Sequence, residues 1–246
     1  MDALSPLQLL FFGLVIILSY AIRGSSGFGG VTVPLLALVM SLKIVVPVVT
    51  VLGMVSSWSI LTRDRHHVNW GALRRIAPWS LVGALIGLYF FSALDSRALA
   101  QGLGALVVAY GGYSLWTTWR TPGPVAAPMR AVTPVVGSIA GFVGTLFGAM
   151  AGMFFAVYLD LLRLDKNAFR ATAAAILFGL GIVRGLGYFA VGAFDREALI
   201  ACAAALPLMA VGIFIGNRLH ANLNPVQFRR FIALVLVASG LPLLLR

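Results

Sequence analysis

The sequence predicts an all-α polytopic membrane protein of two inverted repeats, each a broken or re-entrant helix followed by three transmembrane helices. Three observations predict it. Of 246 residues, 61% are hydrophobic and 10% charged, and the mean hydropathy is +1.00; a soluble domain carries about 25% charged residues. Apolar runs of about 20 residues, the length that spans a bilayer, recur along the chain. One such run in each half is interrupted by a glycine-rich stretch.

The first segment covers residues 7–41 and is broken at 23–30, where AIRGSSGFGG separates LQLLFFGLVIILSY from VTVPLLALVM. As one helix it would extend about 52 Å at 1.5 Å per residue, against a hydrocarbon core of about 30 Å. It therefore bends strongly or returns to its own side as two half-helices. Segments 2, 3 and 4 cover 44–62, 74–93 and 97–119. A linker at 120–134, RTPGPVAAPMRAVTP, is too rich in proline for a continuous helix. Segment 5 covers 135–162 and is broken near 148–152; segments 6, 7 and 8 cover 168–192, 197–219 and 225–245. The organisation is one membrane domain: a first repeat at 1–119, a cytoplasmic linker at 120–134 and a second repeat at 135–246. No basic stretch precedes the first apolar run, so no cleaved secretory signal is expected.

Charge chooses between crossing and re-entrant forms of segments 1 and 5. If all eight segments cross, Lys43, Arg97, Arg163, Lys166, Arg170, Arg218, Arg229 and Arg230 oppose Arg63, Arg65, Arg74, Arg75, Arg120, Arg130, Arg196 and Arg246, eight against eight. If segments 1 and 5 are re-entrant, only Lys43, Arg97, Arg196 and Arg246 remain on one side, four against twelve. The second arrangement recovers the positive-inside bias. It makes the side with twelve charges cytoplasmic and both termini periplasmic; the expected location is the bacterial inner membrane.

The halves repeat. At an offset of 129, Pro78 meets Pro207, Gly83 meets Gly212, Gly87 meets Gly216 and Gly111 meets Gly240. Upstream, the glycines of 24–30 answer Gly141, Gly144, Gly148 and Gly152, and Thr50 answers Thr172. Broken helices at corresponding places in inverted repeats point to a binding site at the breaks. Close helix packing by small residues is the competing explanation for the glycines.

The groups at the breaks suit a small anion. Arg23 adds a permanent charge and a planar fork that matches oxyanions. Ser25 and Ser26 add hydroxyls, and Gly24, Gly27, Gly29 and Gly30 let backbone approach a ligand. Arg184, in GLGIVRGLGYFAVGAF, is a second intramembrane arginine, and no acidic residue lies inside the spans to pair with either. Thr50, Ser56, Ser57, Thr145 and Thr172 are candidates to line a path, each with the alternative of bonding its own helix. Gly148 and Gly152 complete the candidate set in the second half. Arg23 has the alternative of capping carbonyls, and Arg184 that of reaching the outer interface.

Other classes are weaker. The single cysteine, Cys202, rules out an internal disulfide, and His66 and His67 in RDRHHVNW lack a third ligand, so no metal is expected. The net charge of +11 sits in short loops, where it sets orientation rather than binding nucleic acid. Arg74, Arg75, Arg229 and Arg230 are placed against lipid headgroups. Neither Lys43 nor Lys166 follows a phosphate-binding glycine loop, so ATP drive is not encoded and no cofactor is expected. The spans hold no nucleophile–base pair, which argues against an enzyme. A passive anion channel and a non-transporting assembly protein remain as alternatives. A homodimer stays open.

The paired glycine-rich segments, with the blocks GALIG…LDSRAL and GIFIGNRL…LNPVQFRRF, resemble the sulfite exporter TauE/SafE family over nearly the whole chain. The resemblance implies two four-segment repeats and movement of sulfite, sulfonates such as sulfoacetate, or related sulfur oxyanions. It implies that Gly24, Gly27, Gly29 and Gly30, followed by Pro34, match the first family motif, and that Gly141, Gly144, Gly148 and Gly152 match the second. LFGAMAGMFF departs from the family pattern, with no proline matching Pro34. The expectation is a secondary transporter of a small anion, working by alternating access around a site at the two hairpin tips.

Overall fold

Three of the chain's seven acidic residues, Asp95, Asp165 and Asp195, cap helix starts. The computed structural model describes residues 5–26, 30–119, 129–148, 150–218 and 225–245. Among these, the helices are α1 (Pro6–Ser26), α2 (Thr32–Leu36), α3 (Leu42–Asp64), α4 (Trp70–Ala93) and α5 (Ser96–Trp119). They continue as α6 (Met129–Phe147), α7 (Ala151–Leu161), α8 (Lys166–Ala190), α9 (Arg196–Arg218) and α10 (Pro225–Leu244). A single 3₁₀ turn, Arg65–His67, precedes α4. Asp95 caps α5 by accepting from the Ala98 amide at 2.7 Å, and Asp195 caps α9 by accepting from Ala198 at 2.8 Å. Asp165 caps α8, accepting from Asn167 and Ala168 at 2.9 and 3.0 Å. Ser5 and Gln8 form a reciprocal capping box at α1.

The amide of Ala168 is the main cause that holds the Asp165 carboxyl below its ordinary range. A carboxylate with a lowered folded pKa stabilises above its unfolded value, and the effect is lost as pH falls through the folded one. Asp165→Ala is therefore expected to speed hydrogen exchange at Asn167 and Ala168 at neutral pH; unchanged exchange there would remove the cap from this account.

Among the described residues, six helices are long and apolar enough to cross a membrane: α1, α3, α4, α5, α8 and α9. Both predicted breaks are present, between α1 and α2 and between α6 and α7. Two details differ from the expectation. α1 runs through Ser26, so it has 21 residues and the length of a whole span rather than of a half-helix. α6 begins at Met129, inside the predicted linker; Pro134 lies near its start, where a missing N–H removes only one early bond. Residues 120–128 lie outside the described residues.

The chain divides into two compact units, and each draws helices from both halves of the sequence. Unit 1 comprises residues 1–45, 94–126 and 203–246; unit 2 comprises 46–93 and 127–202. In unit 2, α4 lies parallel to α6. Gly83 faces the Ser138 carbonyl, Gly141 faces the Ser80 carbonyl, and a Cβ at Gly87 would stand 2.8 Å from the Phe142 carbonyl. In unit 1, α9 lies parallel to α1: a Cβ at Gly212 would stand 2.6 Å from the Ile17 carbonyl, and Gly216 faces that of Ala21. The contact is thus made twice, in steps of four residues along each helix, by the glycines that repeat in the sequence. α5 and α10 run antiparallel in unit 1, with Gly104 against the Gly240 carbonyl and Gly111 against that of Ala233, at 2.9 and 3.0 Å from an added Cβ.

Within unit 2, α7 returns along α6. Ala151 packs at Gly144 near one end, and the Tyr158 hydroxyl donates to the Ala72 carbonyl at 3.1 Å near the other, where Ile76 meets Gly137. α8 follows the direction of α4: the Asn69 amide donates to Thr172 Oγ1 at 2.9 Å, and Gly187 packs on Leu88. α3 runs opposite to α8, with Met54 at Gly181 and Trp58 against Phe178. One end of the unit consequently holds Arg63 in the last turn of α3, Arg65 and Arg163 in the connections, and Lys166 and Arg170 at the start of α8, the last 3.7 Å from Asp64. Arg74 and Arg75, in the first turns of α4, share that end.

Candidate functional site

The α6–α7 break builds a polar cluster in unit 2 inside an apolar surround. α6 ends at Phe147, and the chain turns through Gly148 and Met150, both left-handed with φ of 69° and 70°. A side chain at Gly148 would meet that conformation and also the Val46 side chain at 3.1 Å. The turn brings the start of α7 beside the last turn of α6. A Cβ at Gly144 would stand 2.7 Å from that of Ala151 and 3.7 Å from Arg184 Nη1. The guanidinium from α8 therefore sits next to the N-terminus of α7.

Arg184 is 7% exposed. Its Nη2 donates to Thr50 Oγ1 at 2.7 Å, and that hydroxyl donates in turn to the Val46 carbonyl at 2.8 Å. The Tyr188 hydroxyl donates to the Thr145 carbonyl, and the Tyr188 ring lies 6.0 Å from the Arg184 guanidinium carbon. Among the described residues, two buried polar atoms of this cluster have no hydrogen-bond partner: Arg184 Nε and Thr145 Oγ1. Among the described residues no carboxylate stands within ion-pairing distance of Arg184. Taking an unpaired cation and a free donor out of water is costly. The cluster has the chemistry to receive an oxyanion, because one tetrahedral or trigonal head offers several acceptor oxygens to a guanidinium fork.

The structure brings together three of the predicted residues, Thr50, Thr145 and Arg184, with Gly148 at the adjoining turn. Thr172 lies elsewhere: it accepts from Asn69 at the basic end, 12 residues along α8 from Arg184. Ser56 and Ser57 are buried one to two turns further along α3 than Thr50. Gly152 lies in the first turn of α7 with Leu177 at 3.9 Å from an added Cβ. Gly141 is a packing residue against Ser80.

In unit 1, Arg23 is half-buried in the last turn of α1, its guanidinium carbon 5.8 Å from the Tyr20 ring centre. Tyr20 is fully buried and its hydroxyl has no hydrogen-bond partner among the described residues. Gly24, Ser25 and Ser26 continue α1 rather than forming the break, because the helix persists to Ser26. Gly30 is buried in the turn before α2. Gly27 and Gly29 lie outside the described residues, as do the side chains of Ser25 and Ser26. Sequence reading passed over Tyr20 and Tyr188. The available signal was their spacing of three and four residues from Arg23 and Arg184, which places each pair on one helix face. His66 and His67 lie in the 3₁₀ turn, and among the described residues no group of three potential metal ligands forms.

A family model described as sulfite exporter TauE/SafE matches residues 10–243. The chain is 32% identical over 178 residues to a probable inner membrane transporter protein TsaS of Comamonas testosteroni, covering 72% of each chain. It is 27% identical over 205 residues to a probable sulfite/organosulfonate exporter TauE of Cupriavidus necator, covering 82% of this chain and 78% of that one. No solved structure matches.

Proposed function

The chain belongs to the sulfite exporter TauE/SafE family, and on that premise we propose a secondary transporter that moves a sulfur oxyanion or organosulfonate across the bacterial inner membrane by alternating access. The observation that carries the anion reading is Arg184: buried and, among the described residues, without a carboxylate, its Nε unpaired as is the Thr145 hydroxyl. Arg184 and Thr145 hold the anion at the α6–α7 break, Thr50 orients the guanidinium, and the N-terminus of α7 adds its dipole. Arg23 and the α1–α2 break supply the matching positive group in unit 1. The names of the relatives support the substrate class. The basic end of unit 2 faces the cytoplasm by the positive-inside rule, with both termini periplasmic.

The test is the purified protein in liposomes, with charge movement and tracer flux recorded for sulfite, sulfate, thiosulfate, sulfoacetate, phosphate and chloride. A saturable flux confined to one or two sulfur oxyanions, with counterflow of the same anion, is the expected result. Flux that rises linearly with concentration and shows no counterflow makes the protein a channel. Equal flux of phosphate and chloride overturns the substrate class.

A further inference from the structure

Tyr188 is fully buried near the end of α8, one helical turn beyond Arg184 on the same face. Its ring packs on Phe91 of α4, with centroids 4.9 Å apart. Its hydroxyl donates to the Thr145 carbonyl and also interacts with the side chains of Arg184 and Thr50. One phenol therefore joins the end of α6 to the guanidinium.

The helix break explains why a donor is needed there. α6 stops at Phe147, so the Thr145 carbonyl is among the last four, which helix geometry leaves without an intrahelical donor. The Gly144 carbonyl, one residue earlier, accepts from the Gly148 amide at 3.0 Å. A bare carbonyl inside a membrane protein is costly. The charged donor best placed to relieve it is Arg184, which the same phenol already touches. Such a charge-assisted bond would occupy the guanidinium with its own protein.

The two hydroxyls at the guanidinium have their protons committed elsewhere. Thr50 donates to the Val46 carbonyl and Tyr188 to that of Thr145. Toward Arg184 each oxygen can act only as a neutral acceptor. The cation is thus held by groups that leave its charge uncancelled.

We propose that Tyr188 is a positioning residue of the transport site: its hydroxyl caps the broken end of α6 and, by occupying the Thr145 carbonyl, keeps the Arg184 guanidinium available to the anion. This rests on the reading of Arg184 as the group that meets the transported anion. It adds a residue that acts through Arg184 without holding the anion itself.

The test is sulfite flux in proteoliposomes, normalised to folded protein. In Tyr188→Phe the anion must displace the freed carbonyl from the guanidinium, so the apparent KM is expected to rise about tenfold while the maximal flux is largely kept. Para-aminophenylalanine at this position restores an N–H donor and is expected to bring KM back toward the parent value. Para-fluorophenylalanine, which fills the hydroxyl's volume without donating, replaces Phe in the test should the cavity prevent folding. In an Arg184→Ala background, Tyr188→Phe is expected to cause no further loss of flux at low sulfite. An equal loss in both backgrounds, a fall in maximal flux at unchanged KM, or failure of the amino group to rescue makes Tyr188 a packing residue and overturns the proposal, with the anion reading intact. If Arg184→Ala alone leaves sulfite flux unchanged, the anion reading fails and this proposal with it.

Discussion

Arg184→Ala is expected to lower anion flux at least about 30-fold, the change set by about 2 kcal/mol, the lower bound for truncating one side of a buried charge pair. The expectation follows from the proposal that the substrate is the missing partner of this buried cation, whose Nε has no partner among the described residues. Arg184→Lys keeps the charge but loses the planar fork, so it is expected to recover only part of the flux. Stability moves the other way. A buried cation without a carboxylate is a net cost to the empty protein, so Arg184→Met is expected to melt at the same temperature or higher. A structural arginine gives the opposite pattern, in which melting falls and flux per folded molecule is kept. Proteoliposome flux and detergent melting of the same three variants distinguish the two.

Gly141→Val is expected to have the largest effect on folding. A Cβ at Gly141 falls inside the contact distance of the Ser80 carbonyl, and one at Gly83 does the same to Ser138. Both obstacles are backbone atoms of helices that cannot give way singly, so the α4–α6 crossing must open. Overpacking typically costs 1–3 kcal/mol and occasionally more; a backbone clash lies at the upper end, so a loss of about 3 kcal/mol is expected. Gly216→Val should reproduce the effect in unit 1 through the Ala21 carbonyl. Gly53→Ala and Gly179→Ala, where an added Cβ meets nothing within 4 Å, should leave melting unchanged or raise it. Equal behaviour of all four would refute the packing role of the repeated glycines. The readout is the folded fraction and melting temperature after extraction.

The membrane class was legible because it needs only local chemistry. Too few charges to cover a water-soluble surface and apolar runs of spanning length are properties of the chain alone. Both helix breaks were also visible from glycine clusters in over-long apolar runs, although the glycines of α5 and α8 stay inside their helices. The division of labour among the glycines was not. Gly141 and Gly148 stand seven residues apart in one motif, yet one seats a carbonyl of α4 and the other turns the chain with positive φ. Composition has no means of telling these apart.

The two threonines put forward as counterparts separate in the same way. Thr50 receives the guanidinium of Arg184, 134 residues away, while Thr172 receives a backbone amide at the basic end. Their shared environment in sequence, a hydroxyl within an apolar run, is identical. Hydropathy and the helix breaks were determined by the sequence itself, because each depends on residues within a turn or two. Which helix of one half packs on which helix of the other, and hence which buried polar groups find partners, was decided only by the tertiary structure. Partner choice depends on close approach of backbones far apart in the chain, and no local pattern encodes that distance.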